Sequence, residues 1–234
     1  MRINFSKKRK CILSILLVIL GMVLLFNTNN NATPFVGKVF KPIRRGSSTT
    51  YYASAVSMLL IYCGFIFINR FGQNKLFDNV IKRIVATIIV MYLANPLNIF
   101  CIKIVKSMSK DLNSIYYNRD VNNTLYINNT DKGKKILNCT IELENCSEKQ
   151  QEFYIEVEVP GWYKKYFTEE KLKAKEYDYK TDKKFILNSK EKKEVDLLFI
   201  ANIKEIYINV SGSVNGFNFR LYNDKGQVEF VERK

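Results

Sequence analysis

A membrane-embedded helical half followed by an all-β sandwich is the fold class that this 234-residue sequence predicts, on three observations. Residues 1–111 carry three long apolar runs. They also hold 16 of the 37 Lys and Arg residues against only Asp78 and Asp111, whereas residues 112–234 are nearly neutral, with 21 basic and 20 acidic residues. Finally, after residue 112 the apolar period changes from helical to alternating. A basic, acid-poor frame around apolar segments is the charge signature of a membrane protein, while a nucleic-acid reader concentrates its charge on a folded face. The net charge of +15 is therefore read as a membrane signal, and no nucleic-acid partner is expected.

The first run, residues 11–26 (CILSILLVILGMVLLF), follows Lys7-Lys8-Arg9-Lys10. At about 1.5 Å per residue it covers roughly 24 Å, short of a hydrocarbon core near 30 Å. Residues 1–32 thus read as either a signal anchor or a cleaved signal peptide. The anchor is favoured because Asn27 to Ala32 offers only Ala32 as a small residue for a cleavage site. Residues 33–50 form an external loop. In it Thr33 and Pro34 resemble a helix cap and first helical position, and Phe35, Val36, Val39, Phe40 and Ile43 fall on one face, predicting a short interfacial helix or a loop packed on the spans.

Runs at 51–69 and 84–105 are long enough to span and contain no Asp or Glu. A basic inner loop joins them. The face of Leu76, Phe77, Val80, Ile81 and Ile84 extends the third run into one bent helix from Asn74 to Lys110, with Asn95-Pro96 as its kink. With the N-terminus inside, nine positive residues fall inside and seven outside, a thin margin. Chain counting is firmer. An anchor gives three crossings and a cleaved signal gives two from an outer start, and both leave residues 112–234 outside.

In the second half Leu137, Cys139, Ile141 and Leu143 alternate with Asn138, Thr140, Glu142 and Glu144, and Phe153, Ile155, Val157 and Val159 alternate with Tyr154, Glu156 and Glu158. Such alternation marks half-buried antiparallel strands. Further strands are predicted at 125–128, 184–187, 195–200, 205–211, 217–222 and 228–231, broken by turns at Asp131-Lys132-Gly133, Pro160-Gly161 and Asp224-Lys225-Gly226. Residues 168–176 are charged and helix-compatible, read as a connection across one end. Seven or eight short strands suit a β-sandwich.

Across residues 135–200 the phrases IELEN at 141–145, FYIEV at 153–157, Pro160-Gly161-Trp162 and FILNSKEKKEVDL at 185–197 resemble bacterial immunoglobulin-like accessory domains. Ser189-Lys190 stands where that pattern carries Pro-Gly. The resemblance implies an immunoglobulin-like sandwich and interaction in place of catalysis, since fold does not fix function.

The absence of histidine removes Ser-His-Asp and Cys-His catalysis, and no metal or cofactor site is expected. Glu142, Glu144, Glu156 and Glu158 are read as a solvated face. Cys139 and Cys146 are separated by strand geometry that disfavours a disulfide. Ser54, Ser57, Thr87, Asn95 and Asn98 are read as interhelical bonding groups before any transport path. The candidate interaction surface is the basic, aromatic stretch with Tyr163, Lys164, Lys165, Tyr166, Tyr177 and Tyr179. The expected protein is a non-enzymatic interaction or assembly subunit of a bacterial plasma membrane, its N-terminus cytoplasmic unless cleaved. Its partners are the lipid bilayer and other membrane or cell-envelope proteins. A component of a secretion or conjugation apparatus and an accessory of a transporter or channel are the alternatives.

Overall fold

The computed structural model describes residues 7–40, 43–45, 48–50, 53–72, 76–121, 124–129, 134–204 and 211–232. Two compact units emerge. One comprises residues 1–28 and 33–101; the other comprises residues 29–32 and 102–234.

The first unit contains α1 (Lys7–Leu25), the single-turn α2 (Phe35–Val39), a two-stranded ribbon of β1 (Ile43–Arg45) and β2 (Ser48–Thr50), α3 (Ala53–Phe71) and most of α4 (Val80–Met108). Two helices among the described residues are long and apolar enough to cross a membrane: one over Ser54–Phe71, and Val80–Met108. Helix α1 begins with four cations, which leaves it a shorter apolar length.

Helices α1 and α3 run antiparallel along a seam of small residues. Ser14 and Gly21 are the buried positions of α1, and Ser57 and Gly64 face them from α3. A Cβ on Gly21 would lie 2.7 Å from Ile61 Cγ1 and 2.9 Å from the Ser57 carbonyl oxygen; one on Gly64 would lie 2.5 Å from Val18 Cγ2. Only glycine lets the backbones approach this closely. Small-residue seams of this kind are how helices associate where lipid removes the hydrophobic driving force.

Several local expectations are corrected. Pro34 is the cap of α2 and not its first residue, no side chain caps it, and Ile43 leaves the helix to pair with Thr50. The predicted helix from Asn74 starts instead at Val80, Asn74 itself lying outside the described residues. Its start is set by Asn79, whose side chain accepts from the Ile81 N–H at 3.1 Å, and by Arg83, which folds back on the Phe77 carbonyl at 2.7 Å. An Asn cap satisfies otherwise orphaned N–H groups and so ends the helix there. Pro96 sits inside α4, which is helical through it. The 29 residues of α4 extend about 44 Å, more than a hydrocarbon core, and its turns from Ile102 onward belong to the second unit.

The second unit is all-β after a 3-10 turn at Asp111–Ser114. One sheet holds β3 (Ile115–Asn118), β4 (Thr124–Asn129), β5 (Lys134–Asn145), β9 (Lys192–Asn202) and β10 (Gly212–Asn215). The other holds β6 (Gln151–Glu158), β7 (Lys171–Lys173), β8 (Lys184–Leu187), β11 (Phe219–Asn223) and β12 (Gly226–Phe230). In the first, the long β5 pairs β9 along one edge while β4 and then β3 share the other, and β10 adds outside β4. In the second, β6 pairs β11 on one edge and β8 and β7 on the other, with β12 outside β11. All of these pairings are antiparallel.

Inward-facing residues of both sheets form one core, including the predicted Leu137, Cys139, Ile141 and Leu143 with Phe153, Ile155, Val157 and Val159. Phe219 and Phe230 stack at 4.9 Å within it, with Tyr117 edge-on to both. The stretch 168–176 does not form a helix: Lys171–Lys173 is an edge strand on β6, its Leu172 buried. The strand expected at 205–211 falls on residues outside the described set except for its last. Cys139 and Cys146 are both buried and free. Since β5 is continuous to Asn145, they stand seven residues, or about 23 Å, apart along the chain, too far for a bond.

Candidate functional site

Residues 29–32, directly after α1 in the chain, are built into the β unit. Asn29 is 4% exposed. Its side chain accepts from the Tyr117 N–H at 2.9 Å and donates to the Tyr117 carbonyl at 2.8 Å. A carboxamide has one donating and one accepting end, so it can satisfy both groups of an edge-strand residue as a neighbouring peptide would. Asn31 then forms a parallel bridge with Val231; the Val231 N–H donates to the Asn30 carbonyl at 2.9 Å and the Ala32 N–H to the Val231 carbonyl at 3.0 Å. The segment therefore straps β3 of one sheet to the end of β12 of the other.

Cations hold this strap in place. Arg119 pairs with Glu232 at 2.9 Å, donates to the Asn29 carbonyl at 2.5 Å and lies over the Tyr117 ring. Lys106 donates to Asn30 Oδ1 at 2.9 Å while its ammonium sits 5.4 Å from the Phe230 ring centroid. From sequence only Ala32 stands out among these residues, and as a cleavage position, not as part of a strap. The available signal was the Asn29-Asn30-Asn31 run, three amides that are costly in lipid and so mark a segment with polar partners elsewhere.

The four glutamates are not a uniform solvated face. Glu142 is 7% and Glu156 6% exposed. Glu142 accepts from Asn118 at 2.6 Å and pairs with Lys192 at 3.0 Å; burial alone would raise its pKa, but these donors and the Lys103 charge hold it below the ordinary carboxylate value. Glu156 pairs with Arg220 at 2.9 Å, Glu158 with Lys164 at 3.0 Å and Glu144 with Lys103 at 2.6 Å. Long cations on adjacent strands and segments cover the carboxylates, which alternation alone does not reveal. Burial pushes the Cys139 and Cys146 thiols up, making both poor nucleophiles. Among the described residues no group of three or more Cys, Asp or Glu could hold a metal ion.

The basic, aromatic stretch divides between two loops. Tyr163, Lys164, Lys165 and Tyr166 lie in the turns after β6, where Tyr163 packs on Phe167 and Tyr166, Lys164 is engaged by Glu158, and Lys165 covers the Tyr166 ring. Trp162 beside them is 74% exposed. Tyr177 and Tyr179 lie instead in the hairpin joining β7 to β8, which reaches over to sheet one: the Lys175 N–H donates to the Leu198 carbonyl of β9 at 2.7 Å. In α4, Asn95 and Pro96 are exposed, Thr87 donates to the Arg83 carbonyl of its own helix, and the carboxamide of Asn98 lies 3.0 Å from that of Asn27.

The β7–β8 hairpin is pinned by Asp178. Its carboxylate accepts from the Thr181 hydroxyl at 2.6 Å and from the backbone N–H groups of Thr181 and Lys180 at 2.9 and 2.8 Å, which pull its pKa down from 3.8 to about 2. A depressed carboxylate pKa stabilises the fold above the unfolded value, and that contribution is lost as pH falls from about 4 through 2. A carboxyl NMR titration should give Asp178 a midpoint near 2, moved toward 3.8 by Thr181→Ala. A wild-type midpoint near 3.8 would contradict the geometry.

No protein-family model matches the chain, and no curated protein matches it significantly.

Proposed function

We propose that this is an integral membrane protein of a bacterial plasma membrane that presents its β-sandwich on the outer side as a non-enzymatic interaction or assembly subunit. The observation that supports its topology is the strap, and the outward side is read from the five cations of the N-terminal tail. Segments that fold together share a compartment, so residues 29–32 and 102–232 lie on one side of the bilayer. Helix α1 then crosses before the strap, α3 and α4 return and cross again, and Lys7 to Lys10 lie inside with the loop near Arg70, Lys82 and Arg83. Retention of α1, giving three crossings, is supported twice over. Cleavage after Ala32 would remove the strap from the sandwich, and the Gly21 and Gly64 seam gives α1 a dedicated partner in α3.

An immunoglobulin-like arrangement is the reading of the sandwich that the strand order favours. With β3 and β4 as a divided first strand, β5 and β9 beside it and β6, β11 and β12 opposite match the A, B, E and C, F, G strands of immunoglobulin constant domains, whereas β7 and β8 join the second sheet, where the constant domain's D strand joins the first, and β10 has no counterpart. The exposed Trp162 and the free Cys139 and Cys146 depart from the antibody pattern. Such sandwiches serve mostly as binding modules, and here the buried acids are consumed in ion pairs.

Affinity purification of the intact protein from its native membrane tests the function. Specific membrane or envelope proteins should travel with it in fixed proportion, and recovery as a lone monomer would contradict the assembly role.

A further inference from the structure

The two outer faces of the sandwich differ in chemistry. On sheet two, lysines and arginines neutralise glutamates: Lys184 pairs with Glu152 and Arg220 with Glu156, and Tyr154 and Tyr222 stack beside them. Among the described residues, sheet one has such ion pairs only toward the Asn145 end of β5, where Lys192 pairs with Glu142 and Lys103 with Glu144; its other end presents rows of hydroxyls and amides. Across it, Ser213, Tyr126 and Asn138 stand in register, followed by Asn215 and Thr124, with Thr140 and Asp196 paired beyond. Their side chains bond one another: Thr124 to Asn215 at 2.9 Å, Asn128 to Asn138 at 3.0 Å and Thr140 to Asp196 at 2.7 Å.

This face floors a cavity of about 330 Å³ whose wall is the β7–β8 hairpin, with Lys175, Tyr177 and Lys183 on the rim. The volume falls at the small end of ligand sites. Two tyrosine rings border it, Tyr126 at 52% and Tyr177 at 76% exposure, the latter with the Lys183 ammonium 5.5 Å from its centroid and its other face left to an occupant. The hairpin is preorganised by the Asp178 bonds and by Lys175, whose ammonium is held by Asp182 at 2.6 Å. Asp196 accepts from Thr140, Lys175 is paired with Asp182, and the Lys183 ammonium lies over the Tyr177 and Phe185 rings and donates to the Asp196 carbonyl at 3.4 Å, so the site carries no cluster of cations free for a phosphate.

We propose that this cavity binds an oligosaccharide. A sugar ring offers an apolar C–H face, which suits the open face of a tyrosine, and hydroxyls that both donate and accept. Asn, Thr and Tyr side chains do the same, whereas a phosphate-rich ligand would call for unpaired cations. Neutral hexose and N-acetylated chains share this chemistry. The proposal deepens the interaction-subunit reading and rests on its outer placement of the sandwich, where surface glycans are met.

The test uses the full chain in lipid nanodiscs, because sugar-headed detergents would compete, with a neutral glucose tetrasaccharide and a tetramer of N-acetylglucosamine as separate probes followed by ligand-observed NMR. At least one probe should bind saturably. Tyr177→Ala and Asn138→Ala should each weaken it tenfold or more with the unfolding temperature unchanged, while Trp162→Ala on the other loop leaves it within twofold. Which probe binds distinguishes the two sources. Absence of saturable binding by both, or binding indifferent to Tyr177→Ala, overturns the proposal. Neither result touches the assembly role, which is read from co-purifying proteins.

Discussion

Replacing Asn29 by Ala is expected to lower the stability of the sandwich by about 2–4 kcal/mol, because it removes the buried carboxamide that accepts from the Tyr117 N–H and donates to the Tyr117 carbonyl. For a domain of this size that corresponds to a fall of roughly 10 °C in the β-sheet unfolding transition, read by circular dichroism on the full chain in detergent. Asn29→Asp should be at least as damaging. A carboxylate still accepts from the Tyr117 N–H but turns an oxygen toward the Tyr117 carbonyl, where the native amide donates at 2.8 Å. A midpoint within 2 °C of wild type for both variants would mean that residues 29–32 rest on the sandwich without supporting it.

Gly21→Leu is the second large effect. The added Cβ alone would stand 2.9 Å from the Ser57 carbonyl oxygen and 2.7 Å from Ile61 Cγ1, and backbone cannot give way as a side-chain tip can. Overpacking a close contact costs about 1–3 kcal/mol or more, and with no hydrophobic drive between helices in lipid the α1–α3 pair has little to offset it. The extracted protein should lose helical signal at a markedly lower temperature and elute as broad aggregates in size-exclusion chromatography. Gly161→Leu, whose Cβ would meet nothing within 4 Å, should behave as wild type. Equal behaviour of the two variants would remove the seam from the account.

The legible part of this chain was its local periodicity. The alternation of Leu137 through Leu143 and of Phe153 through Val159 places those residues in the core because a strand with one buried face writes that pattern into any window of eight residues. Alternation fixes the face of Glu142 and Glu156 but not their exposure. That depends on Lys192 and Arg220, which arrive from strands 50 and 64 residues further along the chain. The start of α4 was missed because the apolar face of Leu76 to Ile84 runs straight through the Asn79 cap. Strand β7 was missed because Lys171-Leu172-Lys173 is too short to show a period. The strap was the least legible of all: Asn29 and Tyr117 are separated by 88 positions, and nothing in either neighbourhood names the other. The aromatic, basic stretch was visible as a composition, but folding divides it between a self-packed turn at Tyr163 to Tyr166 and a hairpin that carries Tyr177 to the rim of the sheet-one cavity.

A cross-link most directly tests the claim that the chain after α1 is part of the sandwich. Asn31 and Val231 are bridge partners, so their Cα atoms lie within disulfide range of about 4.4–6.8 Å. With Cys11, Cys63, Cys101, Cys139 and Cys146 replaced by Ala, the double variant Asn31→Cys, Val231→Cys should oxidise in native membranes to a single intramolecular bond. Mass spectrometry of the digest would then find the two peptides joined, with the α1 sequence still attached to the first. An Asn31→Cys, Gly226→Cys control, its second site five strand residues or about 17 Å from Val231 along β12, should stay reduced. Failure of the first pair to join, or recovery of chains that begin after residue 32, would contradict the account.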